Sequence, residues 1–376
     1  MSTHLAAVSL AKGQPFEVRS RSTPKPGPGE LLIAVRAVAV NPADAIIRET
    51  GLFISEYPAI VGFDITGLVL EIGENVPSGD GPDPGFTPGV TRIAAFSSSY
   101  WMSFAADYGA FQERVIVPWQ HAIQIPDDMS WTHAATLPVA VEVAMNAWDL
   151  LDIPPAGNIH IASSTKGTED CDREKKEALL IWGAASSVGT MGVQTARLLR
   201  DDPNTPIAAV YATAGAANSD YICSLGADVV FDYKDPNVVD AIASAARSDG
   251  LVIRRCFLAT GALASCQAVL QAFSGDKKGE RAVAAKIGSA PPVPQDAEVI
   301  EGMETVFVVP STDESERLGQ LQRWFGACLR ENLAKGLIRP SPEPRIVGSG
   351  LGAVNGALDL WQQGVSCTKL VVHIAQ

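Results

Sequence analysis

The chain has 376 residues, 47% hydrophobic and 19% charged, with a formal net charge of −13. That length allows two or three domains with real cores, and the composition is that of a globular protein, not a disordered one. The acidity argues against a phosphate-gripping nucleic-acid surface and against docking on anionic membranes. No apolar run approaches the roughly 20 residues that cross a bilayer, and no basic-then-apolar leader appears, so a cytoplasmic protein is expected. Six cysteines (Cys171, Cys223, Cys256, Cys266, Cys328, Cys367) are scattered without C-x-x-C spacing. They read as reduced, buried thiols, with neither a disulfide framework nor a zinc site.

The first third is β-rich. Leu31–Val40 follows the turn-forming PKPGPGE, Val61–Gly73 is dense in β-branched residues, and TRIAAF and FQERVIV are further strands around a loop over Pro77–Pro88. From Trp131 the pattern turns helical through WTHAATLPVAVEVAMNAWDLL. Ala156–Glu177 is polar and reads as an exposed insertion.

A strand–helix alternation follows: LLIWG, a helix from Val188, PIAAVYAT, a helix over Asn218–Leu225, DVVFDY, a helix over Val238–Ala246, LVIRRCFL, a helix from Ala262, ERAVAAKIG and ETVFVVP. Alternation of this kind means βαβ units and a parallel sheet. A helix over Glu314–Lys335, a proline-rich turn and the strand KLVVHI end the chain. The last strand is expected to return to the first domain and make it discontinuous.

The densest signal is ALLIWGAASSVGTMGVQTARLL, Ala178–Leu199, where an apolar run passes through small residues straight into a helix. Val188, Gly192, Ala196 and Leu199 share one helical face. Small residues let a pyrophosphate approach the backbone amides and positive dipole of a helix start. In a G-x-G-x-x-G frame the three positions are Ala184, Ser186 and Gly189, so only the last is glycine.

The segments NPAD (Asn41–Asp44), VGFDITGLVLEIGENV, GAFQERVIVP, AATLP (Ala134–Pro138), SSVGTMGVQTA, SLGADVVFDYKDP and VSCTKLVV occur in this order over nearly the whole chain. In these the sequence resembles the medium-chain dehydrogenase/reductase superfamily, in its zinc-free quinone and enoyl reductase branch. The polar insertion and FDYKDP look most like the fungal trans-acting enoyl reductases that serve polyketide synthases. The resemblance implies an α/β protein: a Rossmann doubly wound parallel-sheet domain over 138–311, and a GroES-like, β-rich catalytic domain over 1–137 and 312–376. It implies a nicotinamide cofactor touched by Ala43, Asp44, Ala45 and Ile46, by Ser186, Ser187, Val188 and Gly189, by Gly215, Ala216, Ala217, Asn218 and Tyr233, and by Val365, Ser366 and Lys369.

The residues speak to which cofactor. An acid at the tip of the second strand would bind the ribose 2′-hydroxyl of NAD. The tip here, Thr213-Ala214-Gly215, has none, which favours NADP(H). Grip on the 2′-phosphate would rest on Tyr233 and Asn218, with Lys234 nearby. The alternative is that Tyr233 only packs its ring and Lys234 is solvated.

Zinc-dependent relatives carry a cysteine near the NPAD segment and G-H-E where this chain has Gly62-Phe63-Asp64, and the five histidines (His4, His121, His133, His160, His373) are isolated. No metal is therefore expected. A zinc-free reductase must find a proton for the carbon beside the one that accepts hydride. The positions where relatives keep a lysine or a tyrosine are Ile46 and Phe53, both apolar. Either water or the nicotinamide ribose delivers the proton, or the reaction is not a standard enoyl reduction. Glu142, in LPVAVEVA, is read as a helix-surface residue; the alternative is a buried acid with a catalytic role. Leu137, Val139, Glu142 and Val143, with Tyr100 and Trp101 of SSSYWMSFAADYGAF, are the candidate substrate wall, although packing explains the aromatics almost as well.

The reading is an NADPH-dependent reductase of activated C=C bonds, acting on a small or carrier-bound enoyl substrate with a polyketide synthase as possible partner, as monomer or homodimer. The alternatives are a quinone or enone reductase for free molecules, or a cofactor-binding protein with another biosynthetic role. Arg19, Arg21 and Lys25 form a basic cluster that could meet an acidic carrier, or plain surface.

Overall fold

The computed structural model describes residues 2–77, 79, 85–154, 176–274 and 284–374. Most of the expected insertion, residues 156–175, and Cys171 and His160 within it, lie outside them. The chain forms two compact units, Met1–Glu142 with Ser311–Gln376, and Val143–Pro310. The first division falls after residue 142 instead of 137, inside a helix, and the second after 310 instead of 311.

The first unit begins with the antiparallel pair β1 (Thr3–Val8) and β2 (Glu17–Ser22). Then come β3 (Glu30–Ala39), helix α1 (Pro42–Thr50), β4 (Asp64–Ile72), β5 (Arg92–Phe96), β6 (Arg114–Pro118), β7 (Ala122–Gln124) and the short helix α2 (Trp131–Ala134). β3 is the hub, pairing antiparallel with β4 and β6. Its run LLIAV is buried at every position, as a strand covered on both faces must be. The helical stretch expected from Trp131 is broken: α2 stops at Ala134 and α3 (Pro138–Leu150) starts afresh. Pro138 explains the break, since a proline disfavours helical geometry in the residue before it and suits a helix's first turn.

In the second unit, six parallel strands lie in the order β10 (Val229–Asp232), β9 (Ile207–Ala214), β8 (Glu177–Trp182), β11 (Val252–Leu258), β12 (Ala285–Ser289), β13 (Met303–Phe307). The helices α4 (Ser187–Asp201), α5 (Ser219–Leu225), α6 (Val238–Ser248) and α7 (Leu263–Gln271) connect them. Residues of β8 alternate between two cores: Leu179 and Ile181 join one cluster, Ala178, Leu180 and Trp182 the other. A strand buried on both faces in this way belongs to a doubly wound sheet. Strand order reverses between β8 and β11, the switch point where such sheets bind ligands. Glu177, expected at the end of an exposed insertion, is instead the buried first residue of β8, its charge met by Arg255.

Back in the first unit, the expected helix Glu314–Lys335 is one helical run with a wider middle turn: α8 (Glu314–Leu321), a π-type segment Gln322–Leu329, and α9 (Arg330–Ala334). The expected proline-rich turn hides a strand, β14 (Pro344–Ser349), and a helix, α10 (Ala353–Gln362). β15 (Lys369–His373) pairs parallel with β14 and antiparallel with β3, so the last strand does close the first unit's sheet. Among the described cysteines, Cys256 and Cys266 are buried, but Cys223 is exposed, contrary to expectation.

Candidate active site

In the second unit the chain turns from β8 into α4 through Gly183–Ser186. Gly183 has φ +79°, and a Cβ there would lie 2.5 Å from the Thr260 carbonyl oxygen, so glycine is required. The Ser186 hydroxyl donates to the Gly183 carbonyl (2.9 Å) and accepts from the Gly189 N–H (3.1 Å), capping α4. A Cβ on Gly189 would come within 2.4 Å of the Gly183 oxygen, and one on Gly192 within 2.9 Å of the Phe257 ring. A side chain is sterically excluded at Gly183, Gly189 and Gly192; the frame Ala184–Ser186–Gly189 contains only the second of these, and Gly183 reads as the end of a strand.

The tip of β9 stitches this turn together. The Gly183 N–H donates to the Thr213 hydroxyl (3.0 Å) and the Ala184 N–H to the Thr213 carbonyl (2.8 Å). Thr213 therefore faces inward, and Ala214 and Gly215 add no carboxylate. Beyond Gly215, Ala216 and Ala217 are exposed and Asn218 half-buried. Tyr233, just past β10, is 48% exposed and lies 3.8 Å from where a Gly215 Cβ would be. The Lys234 ammonium sits 5.8 Å from the Tyr233 ring centre. A phenol and an ammonium thus flank the acid-free tip. Together with the capped α4 start, these residues fit a nicotinamide dinucleotide: amides and a dipole for pyrophosphate, hydrogen-bond donors and a cation beside the ribose.

The first unit holds a buried polar network that joins sequence-distant residues. The Asn41 amide donates to Asp64 (2.9 Å), the Lys369 ammonium donates to Asn41 and pairs with Asp64 (2.9 Å), and the Val139 N–H donates to the other Asp64 oxygen (2.8 Å). The Asn41 N–H donates to Asp44 (2.7 Å), which reaches back over the start of α1. Asp64 is fully buried and Lys369 3% exposed. The ammonium thus binds β15 to β4 and to the start of α1, and Asp64 in turn holds the start of α3. Burial, reinforced by nearby Asp64, pushes the Asp44 carboxyl up to about 7.

The Lys369 ammonium and the Asp44 carboxyl make contacts inside the fold that fix the segment Asn41–Ile46. Ala45 is buried, whereas Ala43 and Ile46 face outward, Val365 is half-buried and Ser366 exposed. The network stands where the resemblance led us to look for metal ligands, and a lysine now neutralises the carboxylate there. Among the described residues no cluster of three His, Cys, Asp or Glu side chains is arranged to hold a metal.

Glu142 is not a surface residue: it is 3% exposed. The reason is that α3 is covered almost all round, with only Asp149 exposed. Leu137 is fully buried, and Val139 and Val143 are half-buried. Tyr100 and Trp101 belong to an aromatic ladder. Phe53 meets Tyr100 edge-on at 5.0 Å, Tyr100 meets Trp101 at 5.5 Å, and Trp101 packs on Phe96 (5.7 Å) and His121 (5.9 Å) under the Arg317 guanidinium (4.6 Å). His121 is wholly buried, its Nδ1 3.0 Å from the Phe96 carbonyl oxygen, and burial pushes the ring down to about 3. The basic cluster is largely neutralised, Arg19 by Glu17 (2.8 Å) and Arg21 by Asp107.

A doubly wound dinucleotide unit joined to an antiparallel unit closed by the chain's last strand defines the medium-chain dehydrogenase/reductase architecture. Residues 27–127 match the alcohol dehydrogenase GroES-like domain. The chain is 36% identical to trans-enoyl reductase tndF of Aspergillus flavipes over 99% of both sequences. It is also 36% identical to trans-enoyl reductase tazE of Aspergillus terreus, covering 85% of this chain and 97% of that one. The fold matches that of the CurK enoyl reductase with a TM-score of 0.69 at 16% identity, over 99% of each chain. The chain therefore belongs to the medium-chain dehydrogenase/reductase superfamily, in its enoyl reductase branch. No described helix is long and apolar enough to cross a membrane.

Proposed function

We propose that the protein is an NADPH-dependent enoyl reductase that acts in trans for a fungal polyketide synthase, in the cytosol. The observation that carries this reading is the conjunction of a glycine-and-serine dinucleotide turn with an acid-free β9 tip, in a chain that matches trans-enoyl reductases end to end. When bound, the nicotinamide supplies the hydride. Gly183, Ser186, Ser187, Val188 and Gly189 would hold the pyrophosphate, and Gly215–Asn218, Tyr233 and Lys234 the adenosine ribose and its 2′-phosphate. The Lys369–Asp64–Asn41 network keeps Ala43 and Ile46 and the start of α3 in fixed positions, so that substrate is presented in one orientation. Within the first unit, Val139, Tyr100 and Trp101 would supply apolar surface for an acyl chain. Glu142 is buried three residues after Val139, and its conversion to Gln tests whether it handles a proton.

Support for a megasynthase partner comes from the relatives' names, not from a free basic patch, since Arg19 and Arg21 are paired. The test compares NADPH and NADH oxidation with an α,β-unsaturated acyl thioester, a simple enone and a quinone. The thioester with NADPH is expected to give the highest kcat/KM. A preference for quinones would overturn the enoyl assignment.

A further inference from the structure

We propose that the first unit binds a monatomic anion, a halide such as chloride, between Arg317 of α8 and the turn Ser98–Trp101 that follows β5. The site uses residues of the first unit alone and asks nothing of the reductase reading.

Charge is the first argument. Among the described residues three Lys or Arg side chains are buried: Arg48, Lys369 and Arg317, at 4%, 3% and 6% exposure. Arg48 pairs with Asp359 (2.6 Å) and Lys369 with Asp64 (2.9 Å). Arg317 has no carboxylate within ion-pair distance among the described residues, and Asp313 and Glu314 act on it only as more distant charges. The Asp313 carboxylate is itself occupied, capping α8 through the Glu316 N–H (2.8 Å). The guanidinium touches only neutral groups. They are the Trp101 ring, 4.6 Å from its carbon, and the Ser311 and Thr312 carbonyls at 3.4 and 3.5 Å, beyond good hydrogen-bond length. A buried charge without a counter-charge is costly, so Arg317 calls for an anion.

Hydrogen-bond counting is the second. Five buried polar atoms on this turn and the side chains packed against it have no partner among the described residues: Arg317 Nε, Trp101 Nε1, the Ser98 and Ser99 hydroxyls, and His121 Nε2. The adjacent Ser97 hydroxyl is satisfied, donating to the Tyr108 carbonyl (2.6 Å) and accepting from the Ser99 N–H (3.1 Å). Four of the five orphans can donate. His121 Nε2 cannot, because Nδ1 carries its hydrogen toward the Phe96 carbonyl (3.0 Å) and burial keeps the ring neutral. The surplus is therefore one of donors and of positive charge. Water brings as many hydrogens as lone pairs and no charge, whereas a halide accepts from several donors at once and cancels the charge. The His121 lone pair repels an anion, which places the ion on the Arg317 and Trp101 side. Its size follows from packing. Tyr100, Phe96 and His121 stand 5.5, 5.7 and 5.9 Å from the Trp101 ring centre, which suits a single atom better than a polyatomic anion. An ion bound there ties α8 to a turn far from it in sequence.

The test uses the full chain. Protein in sodium gluconate is titrated with sodium bromide at constant ionic strength, and Tm is expected to rise by about 2 °C or more and then saturate. Arg317→Met should abolish that rise. Crystals grown in bromide should show an anomalous peak within about 3.5 Å of Arg317 Nε and Trp101 Nε1, a reading that stands even if the variant does not fold. An ordered water there without an anomalous signal overturns the proposal. So does a rise of equal size in Arg317→Met, which would put the ion elsewhere. A peak in crystals without a saturating rise in solution is binding at crystal concentration only, and it too overturns the proposal.

Discussion

The dinucleotide turn and the buried lysine network solve the same problem, holding groups in fixed positions, by opposite routes. The turn is almost contiguous: Gly183, Ser186, Gly189 and Gly192 lie within ten residues, and Thr213 adds hydrogen bonds from the tip of β9. The network draws Asn41, Asp44, Asp64, Val139 and Lys369 from β4, β15 and the starts of α1 and α3. The turn depends on backbone shape and tolerates no Cβ at its tight points. The network depends on charge balance, and Lys369 is the cation paired with the buried Asp64. The two should therefore fail differently.

The largest effect is expected in the network. Lys369→Met leaves Asp64 buried without its cation, which costs about 3–5 kcal/mol. Urea unfolding measures it. A loss below about 1 kcal/mol, the scale of a surface pair, would mean the network is solvated.

Asp44 and His121 give the next effect. The Asp44 carboxyl, raised in the native state from 3.8 to about 7, contributes stability that is lost as pH rises through that interval. The His121 ring, lowered from 6.5 to about 3, contributes stability that is lost as pH falls through its own interval. Between about pH 4 and 6.5 the native and unfolded states each hold one proton across the pair, so the two slopes cancel. Asp44→Asn removes one side. The stability of the variant minus that of wild type should then rise by about 2 kcal/mol from pH 4.5 to 6.0. A constant difference between the two proteins would show that Asp44 is not held protonated.

On the proposal that Tyr233 holds the 2′-phosphate, Tyr233→Phe would remove one hydrogen bond to a charged group, worth about 1.5–3 kcal/mol, and should weaken NADPH roughly ten- to a hundredfold while sparing NADH. Isothermal titration with both cofactors decides it. An equal loss for the two would assign Tyr233 to packing beside Gly215. The smallest effect, none, is expected from chelators, because Lys369 already neutralises Asp64 where a metal ligand would stand; activity that disappears with chelation and returns with zinc would contradict this.

The contrast also explains what the sequence could disclose. The parallel sheet and the α4 turn follow from period and spacing, both local properties, although Gly183 was hidden by its place at the end of an apolar run. The return of KLVVHI to the first unit was legible because the resemblance covered both ends of the chain. Nothing local ties Lys369 to Asp64, which are over three hundred residues apart, so the buried network could not be read from the sequence. Glu142 read as a surface residue because a lone glutamate usually is one, and only packing shows that α3 has almost no solvent face. β14 and α10 were missed because prolines and glycines around them mask short elements.

The most direct measurement of the central claim follows hydrogen through the reaction. NADPH deuterated at C4 of the nicotinamide is oxidised with an α,β-unsaturated acyl thioester in ordinary water, and the saturated product is examined by NMR. The account predicts one deuterium at the β-carbon and a solvent-derived proton at the α-carbon. Unlabelled product, deuterium at the α-carbon, or no NADPH oxidation at all would contradict it.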